Sequence, residues 1–159
     1  MALKEDLLAG LAALSEGTPQ PLTLDDAGQC EIPMPLPPPI TQIAGGKLPL
    51  LIKLSRSGNF FTMLVPIAVA PEEPPARFML QLLNDQLFVD TVRGVSFSYN
   101  LESGAIFATY HWMVETISPS QFCDLFHKFV AAAFTLLDRM GAIADGIRGI
   151  STVRNVEIR

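Results

Sequence analysis

The chain has 159 residues, of which 49% are hydrophobic and 17% charged, a composition typical of a folded domain and not of a disordered segment. Its 11 basic residues against 16 acidic ones give a net charge of −5 and a pI near 4.9. This balance argues against a general nucleic-acid-binding protein, because binding phosphate requires a surplus of Lys and Arg. It suits a soluble protein, or one whose partner segment is basic.

The sequence predicts no membrane span. The longest apolar run, residues 60–70, is interrupted by Thr62 and Pro66 and falls short of the ~20 apolar residues that cross a bilayer. The N-terminal sequence carries acidic residues where a signal peptide carries basic ones. The two cysteines, Cys30 and Cys123, lie far apart in the sequence. In a reducing cytosol two such thiols are more often buried side chains than a disulfide. We therefore expect a cytoplasmic protein.

The first third of the chain predicts a helix followed by strands. Leucines recur at helical spacing between Ala2 and Ser15, and Gly17 and the prolines after it end the helix. Residues 22–32 have the pattern of two short strands around an Asp-Asp-Ala-Gly turn. The proline-rich run 33–39 predicts a connection outside any strand, because proline donates no hydrogen bond to a sheet.

A β-hairpin and a second helix follow. Leu48 to Leu54 and Asn59 to Val69 are apolar runs that flank a Ser-Arg-Ser-Gly turn. Ala76 to Leu87 then predicts a helix that is apolar around much of its circumference, more than one buried face requires.

The last elements are two strands and a long helix. Val95 to Leu101 alternates between polar and apolar residues, and Ala105 to Glu115 continues the alternation after a turn. Ser118-Pro119-Ser120-Gln121 is a capping-box helix start, and the apolar stripe behind it predicts a helix to Met140 that Gly141 ends. We expect residues 1–140 to form a single domain and residues 141–159 to be a C-terminal extension that is frayed or flexible.

This series of elements predicts an α+β fold, an antiparallel sheet flanked by helices in the order α-β-β-β-α-β-β-α. The predicted fold contains no catalytic constellation. His111 lies mid-strand and His127 on the long helix, and neither has a local nucleophile or acid beside it. Cys123 and His127 share a helix face, but a metal needs a second such pair. We therefore predict no enzyme activity, no metal and no cofactor.

Several stretches resemble the class I type III secretion chaperones, the Tir-chaperone (CesT-like) family. They are the leucine-rich first helix with the sequence that follows it to Ile32, the sequence Met63-Leu64-Val65-Pro66 before a proline-rich lead into a helix, the sequence 80–84 with a glycine-containing loop and residues 95–100, and residues 104–108 with a long Phe-rich final helix. The resemblance covers residues 1–140. The proline-rich run 33–39 and the tail after Gly141 depart from the compact form of the family.

The resemblance implies a bacterial virulence function without ATP or an active site. Such chaperones are homodimers in the cytoplasm that bind the N-terminal segment of a secreted effector in extended form. They lay apolar effector side chains into grooves, often add an effector strand to a sheet edge, and keep the effector soluble and competent for secretion. The surplus apolar surface of the second helix agrees with a two-fold interface.

The resemblance also directs the choice of site residues. For effector binding the candidates are apolar residues of the first helix, the early strands and the hairpin: Leu7, Leu11, Leu22, Leu24, Ile32, Leu50 and Ile52. The alternative for each of them is a place in the core. For the dimer interface the candidates are Phe78, Leu82, Leu83, Phe97 and Tyr99.

Two other functions are compatible with the same pattern. One is a regulatory protein-binding domain of the same topology outside secretion, of the YbjN type. The other is an enzyme or small-molecule carrier that uses the concave face of the sheet, with Tyr110 and His111 lining it.

Overall fold

The computed structural model describes residues 2–35, 47–70, 76–77, 79–80, 94–145 and 151–152. The elements among them are α1 (Ala2–Leu14), β1 (Gln29–Pro35), β2 (Lys47–Leu54), β3 (Phe61–Val69), β4 (Ser96–Tyr99), β5 (Ala105–Trp112), α2 (Pro119–Asp145) and β6 (Ser151–Thr152). The strands form an antiparallel sheet in the order β1-β2-β3-β5-β4, and β6 pairs with β3. The predicted α+β class and antiparallel sheet are confirmed.

Alternation along the strands places the core on one face of the sheet. In β3, Phe61, Met63 and Val65 are fully buried, while Thr62 and Leu64 between them face the other side and are half-buried. Both helices contribute to the buried side. Phe122 of α2 lies against Phe61, with ring centroids 6.0 Å apart. Each such buried aromatic or aliphatic side chain stabilises the fold by about 1.5–3 kcal/mol.

Local hydrogen bonds explain why α2 begins where it does. The Ser118 hydroxyl accepts the N–H of Gln121, and the Gln121 side chain accepts the N–H of Ser118. This is the reciprocal capping box that the sequence predicted. The N–H of Ile117 donates to the Asp6 carboxylate over 3.0 Å, which ties the start of α2 to α1.

Two prolines decide where β2 and β3 separate. The Ser55 N–H donates to the Phe60 carbonyl, so hydrogen-bonded pairs of β2 and β3 recur at every second residue toward Leu51 and Leu64. The next such pair would place Pro49 opposite Pro66, and neither residue has an N–H to donate. The β2–β3 pairing stops before them, and β6 pairs with the exposed edge of β3 at Ala68 and Val69.

The proline-rich run and the early strands differ from the expectation. Pro33 lies inside β1, opposite Pro49 of β2, because β1 is an edge strand on which a missing N–H can face outward. Leu22 and Leu24 lie outside any strand, although the Asp25 N–H still donates to the Gln29 carbonyl. The remainder of the proline-rich run, residues 36–39, lies outside the described residues.

The predicted boundaries of the last elements also shift. The long helix continues past Gly141 to Asp145, since one glycine weakens a helix by only about 1 kcal/mol. Two residues of the predicted extension form β6. Of the predicted helix 76–87, four residues are described, Ala76, Arg77, Met79 and Leu80, and all four are helical. The structure therefore describes two complete helices where the sequence predicted three. In the described part of the chain no helix is both long and apolar enough to cross a bilayer.

The contact between α1 and α2 yields a test at Gly10. A Cβ added to Gly10 would lie 2.6–2.8 Å from the ring and Cβ of Phe122, closer than packed carbon atoms approach. At an ordinary helical position Gly→Ala stabilises a protein, but here we expect Gly10→Ala to lower the free energy of unfolding by about 1–3 kcal/mol. Chemical denaturation measures this change. Phe122→Ala removes Cγ and Cδ1, the two atoms nearest to the added Cβ, so Gly10→Ala should cost less in that background than in the wild type. Simple additivity of the two substitutions would contradict the contact.

Candidate binding groove

A groove of about 1000 Å³ opens between β1, the connection from α1 to β1, and one side of α2. Its apolar lining comes from three separate parts of the chain: Leu14, Leu22, Ile32, Phe126, Val130 and Phe134. All of these except Phe126, which is buried, are partly buried and pack on the core from its margin. The groove is thus an apolar depression with accessible walls, of the size that binds a few side chains.

Each wall of the groove is positioned by a different local structure. Phe126, Val130 and Phe134 are spaced four residues apart on α2, so they lie along one side of that helix. Ile32 projects from β1 on the same side as the buried Cys30 and Met34. Leu22 lies on the connection, which is anchored by the Thr18 hydroxyl through its bond to the Ser15 carbonyl.

The turn after Leu24 closes one end of the groove. The Asp25 carboxylate accepts hydrogen bonds from the N–H groups of Ala27 and Gln29, and the Gly28 N–H donates to the Asp25 carbonyl. Gly28 has a φ of 73°, which L-residues with side chains rarely adopt. The predicted Asp-Asp-Ala-Gly turn is therefore confirmed.

The charged residues that line the groove are both acidic. They are Asp25 and Glu31, and each is exposed. An exposed carboxylate at the margin of an apolar groove favours a basic residue in whatever enters it, although each such pair contributes at most about 1 kcal/mol.

Cys30 lines the groove, but its thiol is buried and its pKa is raised. Burial raises the pKa of its thiol, the backbone of Thr23 lowers the pKa by a hydrogen bond, and the nearby Asp25 carboxylate raises it. The net effect is a neutral thiol at physiological pH, and a neutral thiol is a poor nucleophile.

A second, more polar cleft of about 850 Å³ adjoins the groove. It lies between α1 and the turn that joins β2 to β3, and it shares Thr23, Asp25 and Gln29 with the groove. Lys4, Lys53, Arg56, Asp25 and Asp26 all line it, so neither charge predominates strongly there.

The structure separates the predicted effector-binding residues into two sets. Four of them are fully buried: Leu7, Leu11, Leu50 and Ile52. These residues belong to the core, since their spacing faces the interior of the sheet–helix sandwich, and they offer no surface to a partner. Leu22 and Ile32 line the groove together, whereas Leu24 lines the adjoining polar cleft.

Sequence analysis did not identify the contribution of α2 to the groove. Phe126, Val130 and Phe134 lie in the apolar stripe that was interpreted as core. The signal that distinguishes them is the width of the stripe. Other residues provide the fully covered side of the helix, namely Phe122, Phe129, Ala133, Leu136, Leu137 and Met140. The further apolar positions are therefore a surplus at its margin.

The predicted dimer residues are described only in part. Phe97 and Tyr99 lie on β4, at the edge of the sheet opposite β1, and both are half-buried. Phe78, Leu82 and Leu83 lie outside the described residues. Leu80, in the described part of the same helix, is 66% exposed.

The described side chains do not assemble a catalytic or metal centre. His111 is exposed and its Nδ1 lies 2.9 Å from the Thr62 hydroxyl on the neighbouring strand. Tyr110 and His111 are consecutive in β5 and so face opposite sides of the sheet, which means that they cannot line one cavity together. Within the described ranges, no three His, Cys, Asp or Glu side chains are grouped closely enough to hold a metal ion.

No protein-family model matches the sequence, and no curated protein matches it either. Solved structures do match the fold. One chain of the ExsC–ExsE complex superposes with a TM-score of 0.61 at 12% identity, covering 89% of this chain and 96% of that one. One chain of the HopA1–SchA chaperone–effector complex gives a TM-score of 0.57 at 17% identity, covering 85% and 94%.

Two further structures match along most of their length. A chain of the heterodimeric ExoU–SpcU complex from the type III secretion system of Pseudomonas aeruginosa gives a TM-score of 0.54 at 12% identity, covering 89% of this chain and 98% of that one. An uncharacterized protein from Methanothermobacter thermautotrophicus gives 0.50 at 12% identity, covering 91% and 98%. At these identities the matches establish the fold, which is that of the class I type III secretion chaperones.

The state of Cys30 yields a pH prediction. Because its pKa is higher in the folded than in the unfolded chain, its contribution to stability is complete below the ordinary thiol pKa of ~8.5 and is lost as pH rises above it. We expect the free energy of unfolding to fall more steeply above that pH in the wild type than in Cys30→Ala. Denaturation at a series of alkaline pH values measures the difference. Parallel curves for the two proteins would contradict the assignment.

Proposed function

We propose that this protein is a type III secretion chaperone whose groove binds the N-terminal segment of a secreted effector in extended form and keeps that effector soluble and competent for secretion. The observation that carries the proposal is the open apolar groove beside an edge strand, in a chain with the fold of the class I chaperones. We expect the groove to bind side chains of the client, because its apolar lining offers them surface to pack against.

The shape of the groove favours an extended polypeptide over a compact ligand. Its lining runs along β1 from Gln29 to Met34 and is faced by residues 18–23 on the connection. A segment lying parallel to β1 would direct every second side chain into the apolar walls. A folded partner offers such a row only at an exposed edge strand, whereas an unfolded effector segment can offer one along its whole length.

The charges favour a client segment with basic residues next to its apolar ones. Asp25 and Glu31 at the groove margin have no basic neighbour among the residues that line it, and the whole chain carries a net charge of −5. Electrostatic attraction of this kind accelerates association and selects partners more than it adds affinity.

We also propose a homodimer formed through the end of the molecule that is remote from the groove. The β4 edge carries the half-buried Phe97 and Tyr99, and Leu80, in the described part of the helix that precedes β4 in sequence, is 66% exposed. An apolar side chain exposed on an already apolar helix is the feature that a two-fold contact covers.

A second candidate function is a regulatory protein-binding domain of the same topology outside secretion, of the YbjN type. The observation behind it is that the same fold occurs in an uncharacterized archaeal protein, whose match covers 98% of that chain, and not solely in chains of chaperone–effector complexes. Both functions use a groove for protein segments. They differ in the partner, which for a chaperone is a secreted protein bound through its N-terminal segment.

The first test introduces charge into the groove. We expect Leu22→Asp and Ile32→Asp each to weaken client binding at least about tenfold, because burying one such apolar side chain against the client is worth about 1.5–3 kcal/mol. Affinity capture from the native host, followed by mass spectrometry of the bound proteins, identifies the client. Limited proteolysis of the complex then shows which client segment is protected.

Leu101→Asp is the matched control, since Leu101 is 87% exposed and lies outside the groove. It should bind the client as the wild type does, and all variants should unfold at similar temperatures. A wild type that retains no more protein than Leu22→Asp would disprove the groove as a client site. A client protected in its folded domain and not at its N-terminal segment would favour the second function.

The dimer is tested separately. We expect Leu80→Glu to convert the wild-type particle, twice the 17.3 kDa of one chain, into a monomer, because a buried interfacial charge is strongly unfavourable. Light scattering coupled to size exclusion measures the mass. Met113→Glu, at another exposed apolar residue, should leave the mass unchanged. A monomeric wild type would contradict the proposed dimer.

A further inference from the structure

The hydrogen-bonding direction of each β1 residue follows from one bond at the start of the strand. The Leu54 N–H donates to the Gly28 carbonyl over 2.8 Å, and the register continues without a shift from Gln29 opposite Lys53 to Pro35 opposite Lys47. In an antiparallel ladder, hydrogen-bonded and non-hydrogen-bonded pairs alternate. The main chains of Cys30, Ile32 and Met34 therefore face β2. Those of Gln29, Glu31, Pro33 and Pro35 face outward.

The outward groups of Gln29 are already occupied. Its carbonyl accepts the Asp25 N–H over 2.8 Å, and its N–H donates to the Asp25 carboxylate over 2.8 Å. The turn around Asp25 thus closes the first position of the β1 edge to any other strand.

At the far end of the β1 edge, two prolines limit hydrogen bonding to another strand. Pro33 and Pro35 stand at outward-facing positions, and neither has an N–H. Each offers only a carbonyl. Proline at outward-facing positions is a common means of protecting a sheet edge from unwanted strands.

Glu31 is left as the one outward-facing residue of β1 that offers both a donor and an acceptor. No described residue outside the β1–β2 ladder bonds to its main chain. It also lies at the centre of the groove wall, between Gln29 and Pro33, which line the groove as well.

We propose that the client main chain pairs with β1 in a short window, with two hydrogen bonds at Glu31 and one at the Pro33 carbonyl, and that side chains in the groove supply the rest of the affinity. This inference rests on the proposed function and specifies its partner. The client must be extended, must have a residue other than proline opposite Glu31, and needs no long strand. Selectivity then depends on side chains more than on main-chain pairing.

The short window also explains why the open edge of β1, although it lies beside an apolar groove, does not pair with the same edge of a second copy. A continuous edge would pair with the edge of a second copy, since unpaired N–H and C=O groups template another strand. A window of one complete residue gives two such edges too few hydrogen bonds to hold each other. A client that also fills the groove gains enough from its side chains.

The test compares two substitutions at Glu31. Both Glu31→Pro and Glu31→Ala remove the carboxylate, but only Glu31→Pro removes the outward N–H. The probes are short random peptides selected on the wild-type chain from a display library, synthesised with a fluorophore and titrated by anisotropy. We expect Glu31→Pro to bind them about tenfold more weakly than Glu31→Ala, as the loss of a hydrogen bond in a contact implies.

Pro33→Ala is a second test variant, which we expect to fold as the wild type does. It adds an N–H at the next outward position and should bind the peptides about two- to tenfold more tightly than the wild type. If circular dichroism shows that Glu31→Pro is unfolded, the peptide affinity of Pro33→Ala is the deciding measurement. Unchanged affinity in Pro33→Ala would overturn the window.

The outcomes separate this inference from the proposed function. If no selected peptide binds the wild type, or if Leu22→Asp binds every peptide equally well, the groove is not a client site and both proposals fail. If Leu22→Asp abolishes binding while Glu31→Pro and Glu31→Ala bind alike, the groove stands and main-chain pairing at Glu31 is refuted.

Discussion

Each hydrogen bond of a β-ladder needs an N–H to donate, and prolines remove that donor at decisive places in this chain. Pro49 and Pro66 would face each other across the next hydrogen-bonded pair, so β2 leaves β3 there and β6 pairs with the edge of β3 instead. Pro33 restricts the outer edge of β1 in the same way. One chemical property therefore determines both how the sheet closes on itself and how much of it remains open to a partner.

The groove exists because the two helices do not cover the whole apolar side of the sheet. Phe122 of α2 packs tightly against Gly10 of α1, which holds the helices together above Phe61. Toward β1 the helices no longer cover the sheet, and Phe126, Val130 and Phe134 line the part that is left open. The connection between α1 and β1 lies opposite them and forms the other wall. The core and the groove are thus adjacent, because the apolar stripe of α2 contributes side chains to both.

Most of the fold was predictable because it depends on local patterns. The capping box at Ser118, the turn at Gly28 and the alternation in β5 all involve neighbours in sequence, and the structure contains each of them. The site was less predictable. Leu7 and Ile52 have the same spacing and hydrophobicity as Leu22 and Ile32, yet the first two are core and the last two line the groove. Spacing indicates which side of an element is apolar, but it does not indicate which residues on that side are covered by other elements of the fold.

The sequence by itself determined the α+β class, the antiparallel pairing of the strands, the acidic character of the chain and the resemblance to secretion chaperones. The first three of these properties follow from composition and from periodicities that span a few residues, whereas the resemblance rests on particular stretches of the sequence. Only the tertiary structure decided that Pro33 belongs to a strand, that α2 forms a wall of the groove, and that Glu31 is the open position of the β1 edge. Each of these depends on residues distant in sequence, because a hydrogen-bonding direction or a covered surface is defined only once the partner strand or helix is in place.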